Sequence, residues 1–213
     1  MIKRLLPSVL FAAVAMSLVA AQSASPKKPR PFEYLDVGPV RIEAIVDSPR
    51  VALNLHSIQE QLGHAEIRKK PDTEGDAESF PYVCYRGGSG TNQFLLIVDS
   101  DEDMGGPELD VMGMTVARPF AAPDYAERCA VLRDPTWTPM TDRGVRLGMA
   151  RREVESILGG RRRGGNKVTY EVDEERPNPS NPSCDPLTVQ SELNLLYKNE
   201  RLVSFKGLRF DFC

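Results

Sequence analysis

Residues Gly144 to Gly159 read GVRLGMARREVESILG. Within this stretch Val154, Ile157 and Leu158 fall at i, i+3 and i+4, which gives a short helix one apolar face. Gly159 and Gly160 stop that helix, and Gly148 and Gly159 permit tight turns. Ala150 stands where a capping side chain would be expected, and Arg151 and Arg152 oppose the positive end of the helix dipole.

Downstream of the helix the pattern changes from a helical to a two-residue period. Val168 to Val172 alternates, a Pro- and Asn-rich loop spans Arg176 to Pro186, and Leu193 to Tyr197 reads as a second strand. A turn at Lys198 to Arg201 leads into a last strand, Leu202 to Phe212, with Phe205, Leu208, Phe210 and Phe212 as its core residues and Gly207 as a bulge or bend.

The same order occurs upstream. Val40, Ile42, Ala44 and Val46 alternate, then Leu55, Ile58 and Leu62 recur at helical spacing before Gly63. Tyr82 to Tyr85, Phe94 to Val98 and Leu109 to Val116 follow as strands, separated by the glycine-rich Gly87 to Gly90 and the acidic Asp99 to Gly106. The expected fold class is therefore α+β, with two tandem repeats, each a short helical element packed on an antiparallel sheet. Residues 37–133 form the first repeat, 134–143 a connector and 144–213 the second repeat.

The quoted stretch resembles the G-x-x-L-G-M-[TS]-x-x-E-V-x-x-x-L-G signature of the SmpA/OmlA (BamE-like) envelope proteins, through Gly144, Leu147, Gly148, Met149, Glu153, Val154, Leu158 and Gly159. The fold implied is shared with secreted β-lactamase inhibitory proteins, which carry two tandem helix-plus-sheet units. Ala150 departs from the family's usual Thr or Ser, the first repeat lacks the L-G-M turn, and no lipidation cysteine is present. The resemblance implies a protein that binds proteins through an exposed sheet face and its loops. The matched residues carry packing and turns rather than chemistry, so no site residue follows from them.

Residues 1–21 read as a secretory signal peptide: Lys3 and Arg4 precede a largely apolar run from Leu5 to Val19, and Val19-Ala20-Ala21 offers small residues for cleavage. The apolar run falls short of the ~20 residues that span a bilayer. Residues 22–36 are expected to be a disordered Pro/Lys-rich leader, and the mature chain is expected to carry no membrane span and to be periplasmic, possibly secreted. Loss of Lys3 and Arg4 leaves 25 basic against 30 acidic residues, a net charge of −5 in place of −3. Nucleic acid, which demands clustered cations, is not an expected partner.

In an oxidising compartment the four cysteines, Cys84, Cys129, Cys184 and Cys213, read as two disulfides. Three pairings are open, and the repeat order favours Cys84 with Cys129 and Cys184 with Cys213. Their wide spacing lacks the close C-x2-C pairs of structural zinc sites.

No catalytic or cofactor motif stands out, and no cofactor, metal or catalytic residue is expected. Asp99, Asp101, Asp103 and Asp110 imitate part of a calcium loop, but Met104 takes the place of its obligatory glycine, so an acidic hairpin turn is the better reading. Gly87-Gly88-Ser89-Gly90-Thr91 fails the nucleophile-elbow pattern at its last position. His56 and His64, the only histidines, lack metal-ligand spacing and read as surface or helix-end residues. Two features remain as candidates for partner binding. Arg161, Arg162 and Arg163 form the one dense basic cluster of the folded region, and Trp137 lies in the Pro-rich connector, where it either packs the halves together or anchors a partner. The functional expectation is an exported, non-enzymatic binding module, an inhibitor or immunity-like partner of another exported or envelope protein. Its alternative is a BamE-like factor in outer-membrane assembly, with a hydrolase ranked last.

Overall fold

The computed structural model describes residues 34–37, 40–43, 54–69, 81–100, 109, 111–159, 165–177 and 182–212. Strands β1 (Tyr34–Val37) and β2 (Val40–Glu43) form an antiparallel hairpin. Helix α1 (Leu55–Leu62) leads to β3 (Arg68–Lys69), β4 (Pro81–Gly87), β5 (Phe94–Ser100) and β6 (Val111–Ala117). A 3-10 turn at Pro119–Ala121, the one-turn helix α2 (Pro123–Ala126) and the short strands β7 (Ala130–Val131) and β8 (Met140–Thr141) follow. Helix α3 (Arg151–Ile157) then precedes β9 (Lys167–Arg176), β10 (Leu187–Lys198) and β11 (Arg201–Phe212).

The fold is α+β with an open antiparallel sheet. Its order is β3-β4-β5-β6-β11-β10-β9, with β7 added parallel to β4, while β2-β1-β8 form a separate three-stranded sheet. The two halves of the chain meet where β6 pairs with β11, from Ser204 opposite Ala117 to Leu208 opposite Gly113. A helix precedes a meander on either side of that seam, β3-β4-β5-β6 after α1 and β9-β10-β11 after α3, and the last strands of the two meanders pair with each other.

Local chemistry explains the helix ends. Asn54 caps α1: its side chain accepts from the Ser57 backbone N–H at 2.9 Å, and the Ser57 hydroxyl accepts from the Asn54 N–H at 3.1 Å. Leu55, Ile58 and Leu62, the apolar positions of the helical period, are all buried. Helix α3 has no side-chain cap at Ala150. The β10–β11 hairpin replaces it, because the Glu200 carbonyl accepts from the Arg151 N–H at 2.9 Å. The Arg151 guanidinium, placed against the helix dipole, is offset by Glu155 at 3.1 Å and lies over the Tyr197 ring at 5.2 Å.

One apolar cluster draws on both halves. Leu55, Ile58 and Leu62 of α1, Val154 and Leu158 at α3, and Val83, Leu96, Val116, Leu193, Leu195 and Phe205 of the sheet belong to it. Leu147 and Ile157 pack against it. The burial of β10 alternates from Thr188 onward, whereas β4 and β5 are buried almost throughout. A strand covered on one face alternates, and a strand covered on both faces reads as a continuous apolar run.

Three expectations need correction. The leader was set at residues 22–36, yet β1 begins at Tyr34 because it has both β2 and β8 to pair with. The bulge in the last hairpin lies at Leu196/Tyr197, not at Gly207, which sits in regular register between Leu193 and Met114. Leu208 is half-buried and belongs to neither apolar cluster, because its register puts it on the face opposite Phe205. Within the connector 134–143, Met140–Thr141 form β8 of the small sheet.

Candidate interaction surface

The large sheet has two unlike faces. Helices α1 and α3 and the main apolar cluster cover one of them. The other face is covered only in part, and the cover is set by a few residues.

Over β4 and β5, the segment containing α2 closes the second face. Tyr82, Cys84, Leu95, Ile97 and Cys129 form a separate apolar cluster there, with Ala122, Tyr125 and Ala126 packed against it. A disulfide joins Cys84 to Cys129 and ties the segment to β4. The Tyr125 ring meets Tyr82 edge-on at 5.1 Å. Burial pushes the Tyr125 phenol up to about 12, with the Asp99 carboxylate, Tyr82 and Asp124 adding to the shift.

Over β6, β11, β10 and β9 no described element covers the second face, which is called the open face below. Reading across the strands, Ile97 is followed by Thr115, Lys206, Asn194 and Thr169. The next row runs from Asp99 through Gly113, Leu208 and Glu192 to Glu171. Thr115, Lys206, Leu208, Asn194 and Glu192 are half-buried, and Thr169 and Glu171 are exposed. The mixture is polar, apolar and charged. The Thr169 hydroxyl is 2.6 Å from the Asn194 amide oxygen, and the Gln190 amide donates to Glu171. Glu192 and Glu171 lie directly opposite each other, an arrangement that costs stability.

At one end of this face, where the last row includes Ser204 and Leu196, residues from both halves converge on Gly148. Its φ of +87° is the left-handed conformation that glycine tolerates, and its N–H donates to the Leu202 carbonyl at 2.8 Å. Arg201 Nη1 donates to the Gly148 carbonyl at 3.1 Å, and a Cβ at this position would stand 3.4 Å from Arg118 Nη2. Arg118 Nη1 in turn donates to the Gln93 carbonyl at 2.9 Å, and burial lowers its pKa. Lys198 is opposite Arg201 in the hairpin and holds its ammonium 4.8 Å from the centroid of Phe120. Phe120 is 59% exposed.

The residues singled out from sequence are scattered with respect to this surface. Cys84 and Cys129 form the disulfide beside it, where the α2 segment covers β4. Cys184 is in a 3-10 turn, Pro182–Cys184, but its side chain and Cys213 lie outside the described residues, as do Arg161, Arg162 and Arg163. Trp137 is half-buried against the main apolar cluster, so it does pack on a core that spans both halves. His56 and His64 are exposed on and just after α1. Asp99 is not a loop carboxylate but a buried residue of β5, 3.6 Å from the Lys206 ammonium. Asp101, Asp103 and Asp110 lie outside the described residues. Among the described residues no group of three or more His, Cys, Asp or Glu is placed to hold a metal, and no helix is long and apolar enough to cross a membrane.

Sequence reading missed Arg118, Phe120, Lys198 and Arg201. No local motif marks them, since 78 or more positions separate the first pair from the second and only the β6–β11 pairing brings them together. Comparison with known proteins leaves this geometry to stand alone: no family model matches the chain, and no curated protein or solved structure matches it.

Proposed function

We propose that this chain is an exported, non-enzymatic protein-binding module that meets another exported or envelope protein on the open face of its sheet. In this reading the two helix-and-meander units are tandem repeats of a BamE-like kind, residues 1–21 direct export to the periplasm, and the role is that of an inhibitor or immunity-like partner.

The observation that carries the reading is the one-sided covering of the sheet. Antiparallel sheets often leave one face to water, but such a face then alternates to uniformly polar side chains. Here the open face keeps Leu208 and Leu196 half-buried among Thr115, Asn194 and Lys206. A non-obligate interface is about as apolar as the rest of a protein surface, and apolar side chains set among polar and charged ones match that composition. The supporting disulfide fits an oxidising compartment.

The test is site-specific photo-crosslinking in intact cells from Asn194 on the open face and from His56 on α1. A single protein captured from position 194 and not from 56, whose affinity for the purified chain falls when Leu208 is replaced by Arg, is the expected result. Equal binding by the Leu208→Arg protein would remove the open face from consideration.

A further inference from the structure

We propose that Phe120, flanked by Arg118, Lys198 and Arg201, is the anchor of the partner interface, and that the partner presents an acidic surface around an apolar pocket for the Phe120 ring. This deepens the binding-module reading and rests on it.

The first ground is unbalanced charge. Lys198 and Arg201 lie directly opposite in the hairpin, and Arg118 shares Gly148 with Arg201. Their contacts are an aromatic ring and two backbone carbonyls, those of Gly148 and Gln93. Among the described residues none of the three cations has a carboxylate within ion-pair distance. Glu200, the acidic residue of the same hairpin turn, reaches toward Arg151 instead, at 3.8 Å. In a chain with a net charge of −3, three cations gathered with no counter-charge among the described residues make a local positive field that opposes folding and favours an anionic partner.

The second ground is the ring itself. Among the described residues only Phe120 and Val131 are large apolar side chains exposed beyond half. Phe120 is held in a short 3-10 turn, directly after Arg118, whose own N–H donates to the Val203 carbonyl at 2.8 Å. An exposed aromatic on a fixed backbone, with the Lys198 ammonium over its ring and two arginines on neighbouring backbone, has the composition of an interface hot spot. The adjoining open sheet face supplies the remaining contact area that one anchor needs around it.

A membrane surface would also attract three cations, but it asks for more apolar surface than one ring. Stable attachment takes a broad apolar helix face or a lipid chain with a polybasic patch. A protein pocket needs only one or two such anchors.

The experiment places a photo-crosslinking residue at position 120 and, separately, at Asn194 of the full chain in intact cells. The captured protein is then purified and titrated with wild-type chain, Phe120→Ala, Lys198→Glu and Lys198→Glu/Arg201→Glu. Each variant is first checked for unchanged thermal unfolding. The expected result is one protein captured from both positions. Its affinity should fall about thirtyfold with Phe120→Ala and about tenfold or more with Lys198→Glu, and should weaken for wild type as salt rises. Capture from position 194 alone, with affinity unmoved by Phe120→Ala and Lys198→Glu, overturns the anchor while leaving the binding-module reading intact. Binding to phosphatidylglycerol vesicles through the same residues, with no protein captured, overturns the acidic-protein assignment. No captured protein from either position and no vesicle binding overturns both.

Discussion

The Lys206 ammonium lies 3.6 Å from the Asp99 carboxylate although their strands, β11 and β5, do not pair. Strand β6 runs between them, and Gly113 makes the reach possible: a Cβ there would be 3.7 Å from Asp99 Oδ2 and 2.8 Å from Leu208 Cδ2. The pair therefore clamps the seam between the two halves of the chain. The Asp99 side chain is 9% exposed, so removing Lys206 takes a cation away from a buried carboxylate, whereas Lys206 is a third exposed and partly screened. Lys206→Met is expected to cost about 1–2 kcal/mol in urea unfolding. Adding Asp99→Asn to Lys206→Met should recover part of that loss, and additive losses would show that the two groups are not coupled.

The disulfide between Cys84 and Cys129 encloses a sequence separation of 45 residues, which include β5, β6 and the α2 segment. Cross-linking a loop of this size restricts the unfolded chain by roughly 3–4 kcal/mol in the chain-entropy view. A non-reduced protease digest should yield one peptide pair joining Cys84 to Cys129. Replacing both with Ala should lower stability by about that amount, and should raise hydrogen exchange at Tyr125 and Ala126 more than at Leu193 or Leu195. A digest that joins Cys84 to any other cysteine would contradict the packing of α2 on β4.

Periodicity made much of this fold legible. Leu55, Ile58 and Leu62 are buried as their spacing requires, Val154 and Leu158 likewise, and all six long strands fall on segments whose alternation or apolar runs mark them. Strand order is another matter. Nothing in β6 or β11 alone states that they pair, since register depends on which faces the helices and α2 cover. The candidate surface inherits that difficulty. Trp137 and Arg161 to Arg163 stood out because their residue types are rare or dense in sequence, whereas Phe120 and Lys198 are ordinary residues that become neighbours only through a non-local pairing. Leu208 misled for the same reason, as its face is decided by register rather than by hydrophobicity.

The start of α3 offers a stabilising change. Ala150 has the extended backbone of an N-cap, with φ −68° and ψ 145°, but no side chain able to accept from the first turn. The Glu200 carbonyl serves only the Arg151 N–H, at 2.9 Å. Ala150→Ser should therefore stabilise the chain by about 0.5–1 kcal/mol. Arg152→Glu, at an exposed first-turn position, should add about 0.3–0.5 kcal/mol at low salt by complementing the dipole. Chemical denaturation at two ionic strengths separates them: the Ser effect should persist in high salt and the Glu effect should shrink.

Alkaline pH should dismantle the sheet from its tyrosines. Burial pushes the Tyr85 phenol up to about 12, slightly opposed by Arg133, and burial likewise leads the rise of Tyr125 to about 12. Tyr197 is raised as well, again chiefly by burial, with Arg151 pulling the other way. In the unfolded chain each phenol ionises near ~10. The folded state thus holds these protons more tightly than the unfolded state, so their contribution is complete below about pH 10 and is lost as pH climbs toward 12. Near-ultraviolet phenolate absorbance should rise together with loss of far-ultraviolet circular dichroism, as one transition above pH 10. Tyr85→Phe separates the two contributions of that residue. Its hydroxyl donates to the Gly63 carbonyl at 2.9 Å, so the variant should be less stable at neutral pH by about 1 kcal/mol. With one raised phenol removed, however, its stability should fall less steeply than wild type between pH 10 and 12. Parallel losses in the two proteins would mean that Tyr85 ionises as freely folded as unfolded.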